Sequence, residues 1–137
     1  MENLDIASLL LRTVTGILFF FQGYDKIFMV KIPNVVLTFQ DPIKKSFLPN
    51  ILLKPLVILS SFTEMFGGLF LFFGLFKFCT LALLSVNLVF VAFSFSSIKA
   101  MWDMQYFIPR FAFVLILWVI PFSHDIYSLD KLFGITF

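Results

Sequence analysis

Long apolar runs, broken by short polar stretches, dominate this chain from Ile6 to Ile126. A helix needs roughly 20 mostly apolar residues to cross a hydrocarbon core about 30 Å thick. Four segments meet that need: about 6–29, 56–73, 78–98 and 107–126. Lys54-Pro55 precedes the second, and Gly74 closes it. The third contains no acid, lysine, arginine or histidine. Pro109 falls in the first turn of the fourth, where a missing N–H costs nothing. Only Gly74 to Lys77 separates segments two and three, so they form an antiparallel hairpin, with Gly74 as a left-handed helix stop. The pattern predicts an all-α fold, an integral membrane four-helix bundle, with residues 1–137 as a single membrane domain. The link at about 30–50 mixes Pro33, Pro42, Pro49 and three lysines with Val35-Val36-Leu37-Thr38-Phe39 and Phe47-Leu48. That mixture predicts a segment lying along the membrane interface.

Composition agrees with the pattern. The chain is 61% apolar and 13% charged, whereas soluble domains average about 45–50% and about 25%. A soluble chain of this length leaves too much apolar surface uncovered, so the remainder faces lipid. A dispersed net charge of +2 gives no footprint for nucleic acid. One cysteine, Cys79, excludes an internal disulfide, and one histidine, His124, excludes bis-histidine haem or a metal site built from histidines. No metal site is predicted. The N-terminus carries Glu2 and Asp5 in place of a basic stretch and reads as the lead-in to the first span, not as a cleaved signal.

Four crossings put both termini on one side. Seven of the ten basic residues (Lys26, Lys31, Lys44, Lys45, Lys54, Lys99 and Arg110) then fall on the side of the long link, and three (Arg12, Lys77 and Lys131) on the other. The positive-inside rule places the long link in the cytoplasm and the termini outside. Tyr24, Trp102 and Tyr106 fit an aromatic belt on the first side, Tyr127 on the second.

Ionisable and amide groups at membrane depth are the candidate chemistry. Glu64 lies ten residues before Gly74 and Asn87 ten residues after Lys77, so each sits about 15 Å from the turn. The hairpin brings them level, either as an interhelical hydrogen bond or as a ligand or proton site. Arg12, Thr15, Gly16, Phe19, Gln22, Gly23 and Lys26 recur at helical spacing and share one face, which points into the bundle. By this depth arithmetic Glu64 has no basic residue at its own level. It is expected to be protonated and neutral, with Arg12, about 6 Å nearer the terminal side, as the cation that would reverse this. Gly67-Gly68 predicts close helix packing, Cys79 a small packing residue, and His124 an interfacial histidine beside Asp125. Ser94, Ser96 and Ser97 are expected to bond backbone carbonyls, and the 22 phenylalanines to fill the bundle and face lipid.

Three motifs also carry a family resemblance. Arg12-x-x-x-Gly16 followed by Gln22-Gly23-Tyr24-Asp25-Lys26 is similar to an arginine followed by a His-Gly-x-x-Lys run. Glu64-Met65-Phe66-Gly67-Gly68-Leu69, ending at Gly74-Leu75-Phe76, resembles a Glu-x-x-Gly-Gly pattern closing on Gly-Leu-Phe. Tyr127-Ser128-Leu129-Asp130 resembles a terminal Ser-Leu-Asp. In this order on four spans they resemble the DoxX-like family over nearly the whole chain. Gln22 stands where that family commonly has histidine, and an amide does not titrate. The resemblance implies a bacterial inner-membrane protein, a subunit or anchor of a redox assembly of the thiosulfate:quinone oxidoreductase type. A quinone is then the candidate cofactor, and lipid, a redox protein or a second copy are the candidate partners. Arg12, Gln22, Lys26, Glu64 and Asn87 are the candidate ligand-binding residues, and the resemblance assigns no catalytic residue. The competing readings are a small proton-coupled transporter built on Glu64 and a non-catalytic structural or lipid-binding protein.

Overall fold

The structure is a computed structural model that describes residues 2–43, 50–98 and 104–135. Its described residues are helical throughout apart from short turns. The elements are α1 (Glu2–Tyr24), a π-helical turn (Asp25–Met29), α2 (Ile32–Ile43), α3 (Asn50–Phe73), α4 (Lys77–Ile98), α5 (Met104–Val119), a 3-10 turn (Phe122–His124) and α6 (Leu129–Leu132). Three stretches are long and apolar enough to cross a membrane: Asn3–Met29, Leu53–Phe73 and Lys77–Ser94. The apolar part of α5, Phe107–Val119, is shorter and completes the bundle as its fourth member. This is the all-α membrane bundle that the apolar runs predict.

Helix ends differ from the sequence reading in one consistent way. Helices α3 and α5 begin at Asn50 and Met104, six and three residues before the predicted starts at about 56 and 107. Pro55 and Pro109 therefore lie inside their helices and not at the first positions. Each still sits close to the N-terminal turn, where few ladder bonds are present to lose. At the other end α5 stops at Val119, not near 126, because Pro121 restricts the residue before it and lacks an N–H to continue the ladder. Residues 120–135 instead fold back as the 3-10 turn and α6.

The tightest packing is between α1 and α3. A Cβ on Gly16 would lie 2.7 Å from the Phe72 amide nitrogen and 2.8 Å from the Gly68 carbonyl oxygen. One on Gly68 would overlap the Phe20 nitrogen, and one on Gly23 the Met65 nitrogen. The two backbones thus touch, as expected where small residues line a membrane helix contact. These contacts pair rising numbers on α1 with falling numbers on α3, so the helices are antiparallel. The predicted stripe faces inward: Arg12, Thr15, Gly16, Phe19 and Gly23 are buried, Gln22 and Lys26 half-buried. At the hairpin, Gly74 takes φ +67°, the left-handed stop that the sequence predicts.

The core joins Phe19, Leu71, Leu81, Leu84, Leu88, Phe107, Val114 and Leu117. Phenylalanines 21, 62, 66, 70, 72, 73, 78, 90, 93 and 111 are exposed, which in this bundle means facing lipid. Cys79 is also exposed. It is not a packing residue, because its position on α4 turns away from α3 and α5. The predicted interfacial segment contains α2, whose Val35 and Val36 are buried; Val36 packs with Leu53 of α3, next to Ile32 and Val57. Lys44, Lys45, Phe47, Leu48, Pro49, Lys99 and Trp102, and the side chains of Ser96, Ser97 and Tyr106, lie outside the described residues. Ser94 donates to the Phe90 carbonyl, as expected.

The glycine contacts generate a graded prediction. Gly68→Ala forces backbone against backbone and should destabilise the bundle by about 1–3 kcal/mol. At Gly67 the new methyl would meet the Leu84 side chain, Cδ2 at 2.9 Å and Cγ at 3.2 Å, which can shift as backbone cannot. Gly67→Ala should therefore cost clearly less. Reversible unfolding in detergent mixtures measures both; equal effects would contradict the α1–α3 backbone contact.

Candidate functional site

Two polar clusters lie at different depths, and the candidate residues divide between them. Glu64 is completely buried. It is the twelfth residue of the 21-residue span Leu53–Phe73, so it lies near the middle of that crossing. Its Oε2 accepts a hydrogen bond from the Lys26 Nζ at 2.6 Å, an ion pair. Its Oε1 accepts from the Asn87 Nδ2 at 3.3 Å and the Ser60 Oγ at 3.4 Å. Glu64 and Asn87 are thus within hydrogen-bond reach, as their equal distances from the turn predict. The Arg110 guanidinium, buried over the Phe19 ring at 6.0 Å, is attracted to the same carboxylate.

The ion pair corrects the expectation that Arg12 is the cation within reach of Glu64. Side chains on a helix lean toward its N-terminus. On antiparallel helices, Lys26 leans from the long-link end toward mid-membrane, while Glu64 leans toward the long-link end, so the two converge. Arg12, also on α1, leans toward the terminal end and so away from Glu64. Placing each residue at the depth of its own Cα hides this, because a lysine side chain spans more than one helical turn. Lys26 is the second residue of the π-helical turn Asp25–Met29.

Arg12 belongs to the second cluster, at the terminal end. It is 1% exposed. Its Nη2 donates to the Tyr127 carbonyl at 2.8 Å, and its Nε lies 3.5 Å from Asp125 Oδ1. Lys77 Nζ approaches Asp125 Oδ2 at 3.3 Å, and Ser8 Oγ donates to Oδ1 at 3.4 Å. Asp130 accepts from the amides of Phe76 and Lys77 at 2.7 and 2.8 Å, capping α4. Its own amide donates to the Gly74 carbonyl at 3.1 Å. A Cβ at Gly74 would also overlap Arg12 Nη1, so a glycine is needed there for space as well as for φ. His124 pairs with Asp5 at 2.9 Å and not with its neighbour Asp125, whose carboxylate faces Ser8, Arg12 and Lys77. Together these contacts fasten the C-terminal segment across the hairpin turn and the start of α1.

An apolar layer separates the clusters. Phe19 lies between Arg12 and Lys26 on α1, Leu71 between Glu64 and Gly74 on α3, and Leu81 and Leu84 between Lys77 and Asn87 on α4. Val114 and Leu117 lie between Arg110 and the C-terminal segment. All six are at most 2% exposed. The buried hydroxyls nearby are bonded to their own helices: Thr15 to the Leu11 carbonyl and Ser61 to the Val57 carbonyl.

Of the five candidate residues, the structure therefore joins Lys26, Glu64 and Asn87. It places Arg12 at the other end, and Gln22 takes no part in the bonds to Glu64. Sequence reasoning did not assign Ser60 and Arg110 to the Glu64 cluster, or Asp125 and Asp130 to Arg12. For Asp130 the signal was present, since Ser128, an N-cap that accepts from the Lys131 amide, starts α6 two residues before it.

Fold and site define the class: a small, all-helical, multi-pass membrane protein with charged side chains paired inside its bundle. A family model of the DoxX proteins matches residues 7–97, and the chain belongs to the DoxX family. The match holds α1 to α4 and the whole Lys26–Glu64–Asn87 set, whereas α5 and the Ser-Leu-Asp tail lie beyond it. Comparison with curated proteins and with solved structures finds no match.

The asymmetry of the ion pair yields a test. Lys26 is 24% exposed and Glu64 fully buried, so the lysine can turn to water when alone and the carboxylate cannot. Lys26→Met should destabilise the bundle strongly, by roughly 3–5 kcal/mol. Glu64→Gln should cost less, and Lys26→Met with Glu64→Gln should recover most of the loss of the first. Thermal unfolding of the three variants in one detergent gives the comparison. If Lys26→Met is the mildest of the three, the pairing is wrong.

Proposed function

We propose that this DoxX protein is a subunit or anchor of a quinone-linked redox assembly in a bacterial inner membrane. The sequence resemblance to subunits of such assemblies supports the reading. The single structural observation that supports it most is the Lys26–Glu64–Asn87 cluster, held at mid-membrane and closed from the terminal end by the Phe19–Leu71–Leu81–Leu84–Leu117 layer. A carrier built on Glu64 needs a carboxylate that releases and rebinds its proton toward both sides. Here both oxygens are engaged and one side is sealed, which favours a supporting site over a transport site. Exposed rings along α1, α3 and α4 give lipid, or a membrane partner, a large apolar face.

Removing the chain from its native cell should release a flavin-, haem- or metal-bearing partner from the membrane fraction into the soluble fraction, read by quantitative proteomics of both fractions. An unchanged distribution of every redox-cofactor protein overturns the anchor reading. In the proposed orientation, with the long link cytoplasmic, alkaline phosphatase fused to the C-terminus should be active and a fluorescent protein there dark. The reverse pattern overturns the orientation alone.

A further inference from the structure

We propose that the C-terminal segment, residues 120–135, is a docking platform for a soluble protein that offers an apolar side chain beside a carboxylate. This rests on the anchor reading and names the surface through which the anchoring occurs. The first support is a reversed polarity. The polar side chains of the segment point inward: Asp125, Ser128 and Asp130 are each at most 8% exposed. The apolar ones point outward: Ile126, Tyr127, Leu132 and Phe133 are each at least 50% exposed. The bundle uses the inward groups, in the cluster around Arg12 and Lys77. The outward groups are left to another surface, and gathered apolar side chains of this kind mark interaction sites.

The second support is place. The segment crosses the end of the bundle and not its side. His124 meets Asp5 near the start of α1, and Asp125 meets Lys77 at the start of α4. The Asp130 amide meets the Gly74 carbonyl at the α3–α4 turn, and α5 delivers the chain from the fourth helix. A face laid over four helix ends looks out of the bilayer, so acyl chains packed along the helices do not cover it. A docked protein removes that apolar surface from water.

The third support is shape and charge, which select the partner. An open groove of about 450 Å³ runs between Ile126, Tyr127, Ser128, Leu129, Lys131 and Leu132, room for a large apolar side chain. Lys131 stands on its wall and is exposed. Arg12, Lys77, Asp5, Asp125 and Asp130 are all buried. Among the side chains described at this end, Lys131 is therefore the exposed full charge. The face is apolar and positive, complementary to an apolar group flanked by a carboxylate. It does not complement itself: a two-fold contact would set the same apolar, positive patch against its copy, with no exposed carboxylate among the described residues to meet Lys131.

The test uses the full chain in its native cell. The redox-cofactor protein that leaves the membrane fraction when the chain is removed should also leave when the chain carries Lys131→Glu with Leu132→Asp. Its membrane-bound share should fall roughly tenfold. The variant itself should keep its membrane level and its melting behaviour in detergent, because both side chains are exposed and neither joins the Arg12 cluster. Lys131→Arg, which keeps the charge, should retain the partner. A benzoylphenylalanine photo-crosslinker at Phe133 should capture that same protein, and one at Val89, on the lipid face of α4, should not. Retention of the partner by the double variant overturns the proposal, as do Phe133 crosslinks that reach only lipid or only a second copy. If removal of the chain releases the partner and the double variant retains it, the anchor reading stands and the docking surface is wrong. If removal releases nothing, the anchor reading falls and the docking proposal falls with it.

Discussion

A carboxylate with no exposed surface, halfway through a lipid-facing helix, sets the terms for the rest of this bundle. Glu64 has no route to water, so its charge is tolerable only if protein groups replace the hydration it loses. That demand fixes three helices at once. Helix α1 must carry Lys26 to it, α4 must bring Asn87 level with it, and α3 must present Ser60 one turn before it. The glycines at 16, 23 and 68 meet the same demand from the backbone side. They let α1 approach α3 closely enough for a lysine to reach across. The charge pair and the small-residue seam are therefore one construction. The pair gains from a close seam, and the seam brings two otherwise unrelated helices together at a defined register.

The same rule governs the terminal end with different components. There the buried cation is Arg12, and its counter-charges come from the far end of the chain, through Asp125 and the Tyr127 carbonyl. Lys77 shares Asp125, and Asp130 caps α4 with its carboxylate. A segment too short to form a fifth long helix thus earns its place by neutralising groups on α1 and α4. Between the ends, the leucines and Phe19 pack without polar atoms, so the two sets of charges are insulated from each other. Each is paired locally, within its own layer of the bundle.

Much of this was legible in the chain. The apolar runs gave the spans, the hairpin at Gly74 followed from its length and its glycine, and equal offsets from the turn put Glu64 beside Asn87. The inward face of α1 was readable from its spacing. What spacing alone could not supply was the reach and lean of long side chains. Depths counted at Cα set Lys26 apart from Glu64 and drew attention to Arg12, yet direction reverses that choice. The partners of Arg12 were hidden for another reason: they lie 113 and 115 positions away, in a stretch where Pro121 ends the helix, and no periodicity relates them to α1. Cys79 shows the same limit in small form, since its type suggested packing while its face of α4 meets lipid.

The separation of those partners along the chain has a consequence for how the protein reaches its membrane. A membrane protein is inserted from its N-terminus as it is made, so Arg12 enters the bilayer long before Asp125 and Tyr127 have been synthesised. Lys26 likewise precedes Glu64 by 38 residues. During that interval α1 carries two cations without their final partners, each a burden of roughly 2.5–3.5 kcal/mol if held at the centre of the membrane. Nascent α1 has reason to wait in a sheltered position, beside the insertion machinery or near the interface, until α3 arrives. Asp125, Tyr127 and Asp130, made after all four long helices, then complete the terminal cluster. A copy cut short before Asp125 retains a buried arginine with its ion-pair partner missing, a defect that membrane quality control can recognise.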